Sequence, residues 1–170
     1  MDASPSPKFL GLLRVLTRHG VDFIVVGGVA ALLEGAPILT LDLDVLIDQS
    51  PENLGRVLAM LSELHARYRD PAGRFIEPDA GKLATMRIHL LETDLGALDL
   101  LASIGNGLTY RDLQERTIWY ELGEERIGVL ALDAVIETKE YAGRDKDHAT
   151  LPVLRQTLAA KKKSGRSEES

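Results

Sequence analysis

Two aspartates stand out where acids are least expected. In TLDLDVLID, Asp42 and Asp44 interrupt a run of aliphatic residues at alternating positions. Side chains two apart on a strand share a face and lie roughly 6.5 Å apart along it. The spacing therefore points both carboxylates to one side and Leu41, Leu43, Val45 and Ile47 to the other. Two anions so placed repel each other, and a cation between them relieves the repulsion. Thr40 falls on the acidic face and could support a metal or a phosphate, although threonine is also simply a good strand former. Asp99 is a third acid in apolar surroundings, between Leu98 and Leu100, where a carboxylate is costly unless paired, hydrogen-bonded or bound to a cation.

Upstream, Asp22 to Val26 reads as a short buried strand, followed at once by Gly27 and Gly28 and a helix from Val29 to Glu34. Glycine lets backbone approach a ligand closely, and N–H groups at a helix start attract phosphate. A double glycine equally serves a tight strand-to-helix turn. GGVAALLEG lacks both the GxGxxG spacing and the Lys-Ser or Lys-Thr pair of a P-loop. Near the other end, Lys139, Arg144 and Lys146 form a basic group interleaved with Asp145 and Asp147. It reads either as a salt-bridged surface or as a phosphate clamp at the edge of the acidic site, with Lys139 and Arg144 as its candidate members. Three strand acids, a glycine turn and nearby cations suit metal-assisted phosphoryl or nucleotidyl transfer by two magnesium ions, which need no His or Cys ligand.

The remaining chain must position these groups. A helical stripe covers Lys8 to His19, with Gly20 as its C-cap. Ser50 and Pro51 open a helix expected to run from Glu52 to about Tyr68. Met86 to Glu92 and Leu95 to Ile104 read as a hairpin about Thr93 and Asp94, and a second hairpin joins Thr117–Leu122 to Arg126–Leu130. IGNGL (104–108) is a candidate lid, Thr109 to Glu115 a short helix, and a last helix spans about Asp147 to Ala160. The fold expected is α/β, a short, mixed, twisted sheet of about five strands with helices mainly on one face. One domain covers residues 8–160, with flexible termini at 1–7 and 161–170.

Composition agrees with that size. A chain of 170 residues, 45% hydrophobic and 27% charged, can bury roughly 70% of its unfolded surface in one core. A net charge of −6 argues against a protein that coats nucleic acid, though not against a local RNA contact. There is no cysteine, which excludes disulfides and thiolate metal sites. The N-terminus lacks signal-peptide character and no apolar run is long enough to span a membrane, so a cytoplasmic protein is expected.

GGVAALLEG, then TLDLDVLID, then Asp99 in GALDLLAS, together resemble the nucleotidyltransferase superfamily of the polymerase-β type. The resemblance is to small bacterial members: AbiEii-like toxins of type IV toxin–antitoxin pairs, and the lincosamide and aminoglycoside nucleotidyltransferases. ETKEYAGRDKDH also resembles the basic helix that follows the catalytic sheet in the toxin-like group. The resemblance implies that Gly27 and Gly28 hold NTP phosphates, and that Asp42 and Asp44 bind two Mg²⁺ ions. Asp99 would complete the metal site and act as, or orient, the base, while Lys139 and Arg144 contact phosphate. It leaves open whether the acceptor hydroxyl belongs to RNA, protein or a small molecule such as an antibiotic. Also open are an antitoxin partner, the choice of ATP or another NTP, and a non-catalytic module of the same fold. The resembled pattern often has Gly-Ser where this chain has Gly-Gly, so one hydroxyl that could touch phosphate is missing.

Overall fold

In the computed structural model, residues 6–168 are described. The chain opens with α1 (Pro7–Arg18), which Ser6 caps by accepting a hydrogen bond from the Phe9 N–H. β1 (Phe23–Val26) leads without a break into α2 (Gly27–Leu33), and β2 (Leu43–Ile47) returns antiparallel to β1. α3 (Pro51–Glu63), β3 (Arg67–Tyr68) and α4 (Ala80–Thr85) come next. Two hairpins follow, β4 (Ile88–Thr93) with β5 (Gly96–Leu101), and β6 (Thr117–Leu122) with β7 (Glu125–Leu130). The chain ends with α5 (Leu132–Ala142) and α6 (Asp145–Glu168).

The strands form one mixed sheet in the order β3-β4-β5-β2-β1-β7-β6. β2 runs parallel to β5 and β1 parallel to β7, while the other pairings are antiparallel. All four residues of β1 are buried, as expected of a central strand covered on both faces. Over β4 and β5 the two faces differ. His89, Leu91, Leu98 and Leu100 are buried on one, whereas Ile88 and Leu90 remain exposed on the other. α2 packs on β1, β2 and α5, and α5 carries α6. Among the described residues no helix is long and apolar enough to cross a membrane.

Both hairpins and the mixed α/β character agree with the sequence reading, but the sheet has seven strands rather than about five. The extra edge is β3. The Leu54-to-Leu64 stripe suggests a helix reaching Tyr68, yet α3 stops at Glu63, because His65 takes a left-handed conformation (φ 51°) and redirects the chain. The segment 36–42 crosses without a strand partner, so the strand read through both aspartates begins only at Leu43 and leaves Asp42 outside it. Leu39 and Leu41 are then 90% and 79% exposed rather than packed. Thr109 to Glu115 is reduced to turns leading into a single 3-10 turn at Gln114–Arg116. At the C-terminus, α6 continues past Ala160 to Glu168, and Lys161 pairs with the buried Glu34. Of the two termini expected to be flexible, residues 1–5 and 169–170 lie outside the described residues.

Candidate active site

Strand pairing assembles the acidic centre. In the parallel ladder of β2 and β5, Asp44 stands directly beside Asp99, and their carboxyl groups share a hydrogen bond. Burial, reinforced by that hydrogen bond and by the charges of Asp99 and Asp42, pushes the Asp44 carboxyl up to about 8. The positive field of Lys146 partly opposes the shift. Asp42 lies one step outside β2, and the Thr40 hydroxyl donates to its carbonyl at 3.2 Å.

The glycine pair follows from the antiparallel register of β1 and β2. Val26 faces Asp44, so the next residue must turn immediately beside that carboxylate. Gly27 does so at φ +64°, and a Cβ there would sit 2.3 Å from Asp44 Oδ2. At Gly28 a Cβ would come within 2.7 Å of Thr40 Oγ1. Both positions therefore require glycine through close approach, Gly27 to Asp44 and Gly28 to Thr40. Gly27, Gly28, Thr40, Asp42, Asp44 and Asp99 form one neighbourhood, as the sequence reading expects.

One member of that neighbourhood escaped the sequence reading. Arg69, just beyond β3, donates from Nη2 to Asp99 Oδ1 at 2.5 Å and from Nη1 to Asp42 Oδ1 at 3.4 Å. Its backbone N–H bonds the Leu90 carbonyl of β4 at 2.9 Å, which fixes the chain from which the guanidinium reaches across β4 to Asp99 on β5. The adjoining strand β3, two residues long, carries too little pattern to be read, and the expectation that the helix continued to Tyr68 covered it.

Lys139 and Arg144 make ion pairs within the chain, the first of the two readings of this basic group. Both pair with Asp147, whose side chain is fully buried: Lys139 Nζ lies 3.3 Å and Arg144 Nε 2.7 Å from its oxygens. Burial alone would raise that carboxyl, but the two cations overcome it and hold it below the usual range. Gly143, in a left-handed conformation, ends α5 and folds this cluster back on itself. Lys146, the third member of the basic group, is the one whose field reaches Asp44.

Among the described residues, no three His, Cys, Asp or Glu side chains converge as a ready-made metal cage. Asp44 and Asp99 meet, and Arg69 ties Asp42 to Asp99. The donors nevertheless suit a hard divalent cation. They are carboxylate oxygens, one of them buried and driven towards protonation by its neighbours, and magnesium commonly takes one or two carboxylates with substrate phosphates.

Solved structures that match this chain along nearly its whole length include the following three. A proposed nucleotidyltransferase of Thermotoga maritima aligns at 20% identity over 92% of this chain and 96% of its own, with a TM-score of 0.55. The lincosamide antibiotic adenylyltransferase LnuA, with lincomycin bound, aligns at 12% over 90% and 98%, with a TM-score of 0.62. The third is ANT(2")-Ia in complex with adenylyl-2"-tobramycin, at 14% over 95% and 97%, with a TM-score of 0.57. The chain has the nucleotidyltransferase fold. At these identities the likeness is one of architecture. No family model matches the sequence, and no curated protein matches it significantly. Within the nucleotidyltransferase fold seen here, the acidic neighbourhood lies where β1, β2 and β5 run side by side.

Proposed function

We propose that this protein is a Mg²⁺-dependent nucleotidyltransferase that moves an NMP group from an NTP to an acceptor hydroxyl. The observation that carries the proposal is the side-by-side pairing of Asp44 and Asp99 against Gly27, with Asp42 tied to the pair through Arg69. In this reading Asp42, Asp44 and Asp99 hold the metal ions, which when bound neutralise phosphate charge and activate the acceptor hydroxyl. The backbone at Gly27 and Gly28, with Thr40 beside it, accommodates the triphosphate. Asp99 accepts or orients the hydroxyl proton as the acceptor oxygen bonds to the α-phosphorus. The bond from that phosphorus to the bridging oxygen breaks, and pyrophosphate leaves. The positive field of Lys146 reaches Asp44, which makes Lys146 a better candidate to steer phosphate than Lys139 and Arg144, which Asp147 engages.

The test is calorimetric titration with ATP, CTP, GTP and UTP, with and without Mg²⁺, on the wild type and an Asp42→Ala/Asp44→Ala double variant. Magnesium-dependent binding lost in the variant supports the site. No binding to any nucleotide refutes it and leaves a non-catalytic module. Two neighbours whose structures hold lincomycin and adenylylated tobramycin favour a second reading, in which the acceptor is a small hydroxylated molecule. A drug-inactivation assay decides that point. The toxin reading, with its antitoxin partner, rests on the sequence resemblance, and growth arrest on induction that depends on Asp42 and Asp44 would support it.

A further inference from the structure

The sheet has two edges, and the fold treats them differently. At one edge β3 is two residues long, and the Ile76 carbonyl accepts from its Tyr68 N–H at 2.9 Å, so the following loop occupies the outward donor. At the other, β6 runs for six residues, TIWYEL, with no proline, no lysine and a single charge, Glu121. Shortness, proline and lysine are what keep an edge strand from pairing with another chain, and β6 has none of them. Its free groups follow from the hairpin register. Ala131 donates to the Arg116 carbonyl at 2.9 Å, so alternation turns Ile118, Tyr120 and Leu122 towards β7. The N–H and C=O of Trp119 and Glu121 then point outwards, and among the described residues no backbone group beyond the β6–β7 ladder bonds them. Trp119 is half exposed and Ile118 is 41% exposed. The Arg126 guanidinium lies 4.7 Å from the Trp119 ring centroid, while Glu121, exposed, makes no ion pair among the described residues.

We propose that β6 is a homodimer interface, in which two copies of this chain pair their β6 strands antiparallel about a two-fold axis at Tyr120. Two seven-stranded sheets then become one continuous sheet. In this register Trp119 faces the second copy's Glu121, and each such pair exchanges two backbone hydrogen bonds, which uses every outward group of both residues. On one face Glu121 arrives beside the second copy's Trp119 and the Arg126 guanidinium resting on it, so acid meets base once in each half of the contact. On the other face Ile118 falls opposite Leu122, apolar against apolar. Neighbouring registers fit less well. A slip that sets Trp119 against itself places Glu121 opposite Thr117, whose N–H is already bonded to the Gln114 carbonyl. The opposite slip sets Glu121 against itself, like charge on like. A one-residue slip opposes outward groups to groups already in the β7 ladder. This self-complementarity of charge and backbone is what selects a second copy as the occupant. β7 and β1 separate β6 from β2, so the acidic centre stays outside the contact.

Sedimentation equilibrium of the full chain from about 1 to about 300 μM tests the proposal, since a small interface gives weak association. Wild type is expected to pass from monomer towards dimer across that range. Glu121→Pro deletes an outward N–H without touching the β7 ladder, at the kind of edge position where proline is tolerated, and should weaken association at least tenfold. Glu121→Arg and Arg126→Glu each bring like charges together and should do the same. Mixed in equal amounts, those two charge variants should associate with each other, because each supplies the charge that the other lacks. Such recovery also shows that neither variant has misfolded. A wild type that stays monomeric throughout overturns the proposal and leaves the edge to a strand of a different protein. A dimer that none of the three substitutions weakens overturns the assignment to β6. A mixture that remains monomeric beside a dimeric wild type overturns the pairing of Glu121 with Arg126 on which the register rests.

Discussion

Arg69 bridges Asp42 and Asp99, so its removal should be felt in two opposite ways. Its guanidinium is less than one-third exposed and bonds Asp99, itself largely buried, at 2.5 Å and Asp42 at 3.4 Å. Hydrogen bonds between charged partners contribute roughly 1.5–3 kcal/mol each, with the longer one at the low end or below. Arg69→Ala also leaves three acids facing one another without their cation. The net loss expected in EDTA is about 2 kcal/mol, a fall in Tm of roughly 4–8 °C for a chain of this size. Magnesium affinity should move the other way. The guanidinium occupies carboxylate oxygens that an ion would use, and detaching it costs wild type the same interaction. Removing that cost tightens Mg²⁺ binding by up to roughly thirtyfold, since each factor of ten is about 1.4 kcal/mol. Thermal unfolding in EDTA and calorimetric Mg²⁺ titration without nucleotide measure the two effects. Arg18→Ala, which breaks an exposed pair with Glu63, is the control and should change neither much. An unchanged Tm together with superimposable Mg²⁺ isotherms would refute the assignment of Arg69 as the resident counter-cation.

Other perturbations follow from the same geometry. Gly27→Ala puts a methyl 2.3 Å from Asp44 Oδ2 at a left-handed φ, so Mg²⁺-dependent nucleotide binding should be lost and stability should fall by at least about 1–2 kcal/mol; calorimetry and thermal melts check both. Since the Asp44 carboxyl lies up near 8 and a metal needs the carboxylate, Mg²⁺ binding at pH 7 should release close to one proton. The affinity should then climb between pH 6 and 8, and titrations in buffers of different ionisation enthalpy would count the proton. Asp147→Ala strands Lys139 and Arg144 beside a buried gap and should cost about 3 kcal/mol in a denaturant melt. Because the folded Asp147 carboxyl lies below its ordinary value, its contribution is present above that value and disappears as pH falls through the folded one. Asp147→Asn should therefore lower stability at pH 7 while reducing its loss below about pH 4, the ordinary range for Asp.

What was legible in the sequence was whatever interrupted a regular pattern. Asp42, Asp44 and Asp99 broke aliphatic runs, and a carboxylate in such a run has to be explained by a partner. Gly27 and Gly28 broke a strand at the point where it became a helix. The register of β1 with β2, and of β2 with β5, then brought these residues together because strand pairing carries alternation from one strand to the next. Lys139, Arg144 and Asp147 were visible as interleaved charges, but not that Asp147 is buried and claims both cations. Interleaved signs look alike whether they face solvent or one another. Arg69 was hidden for a different reason. The apolar stripe of α3 runs smoothly to Leu64, and only the left-handed turn at His65 ends it. A histidine announces a positive φ far more weakly than a glycine does. β3 is only two residues long, too short to show a period, so its role as the edge of the sheet depends on its partner in β4. The cation that balances the acids hangs from that turn. A substitution at His65 that disfavours the left-handed region, such as valine, should therefore disturb the Arg69 contacts more than the core. In the Arg69 experiment it would mimic Arg69→Ala, with tighter Mg²⁺ binding and a lowered Tm. A variant that lowered Tm alone would mean that the turn supports the fold without setting the position of the guanidinium.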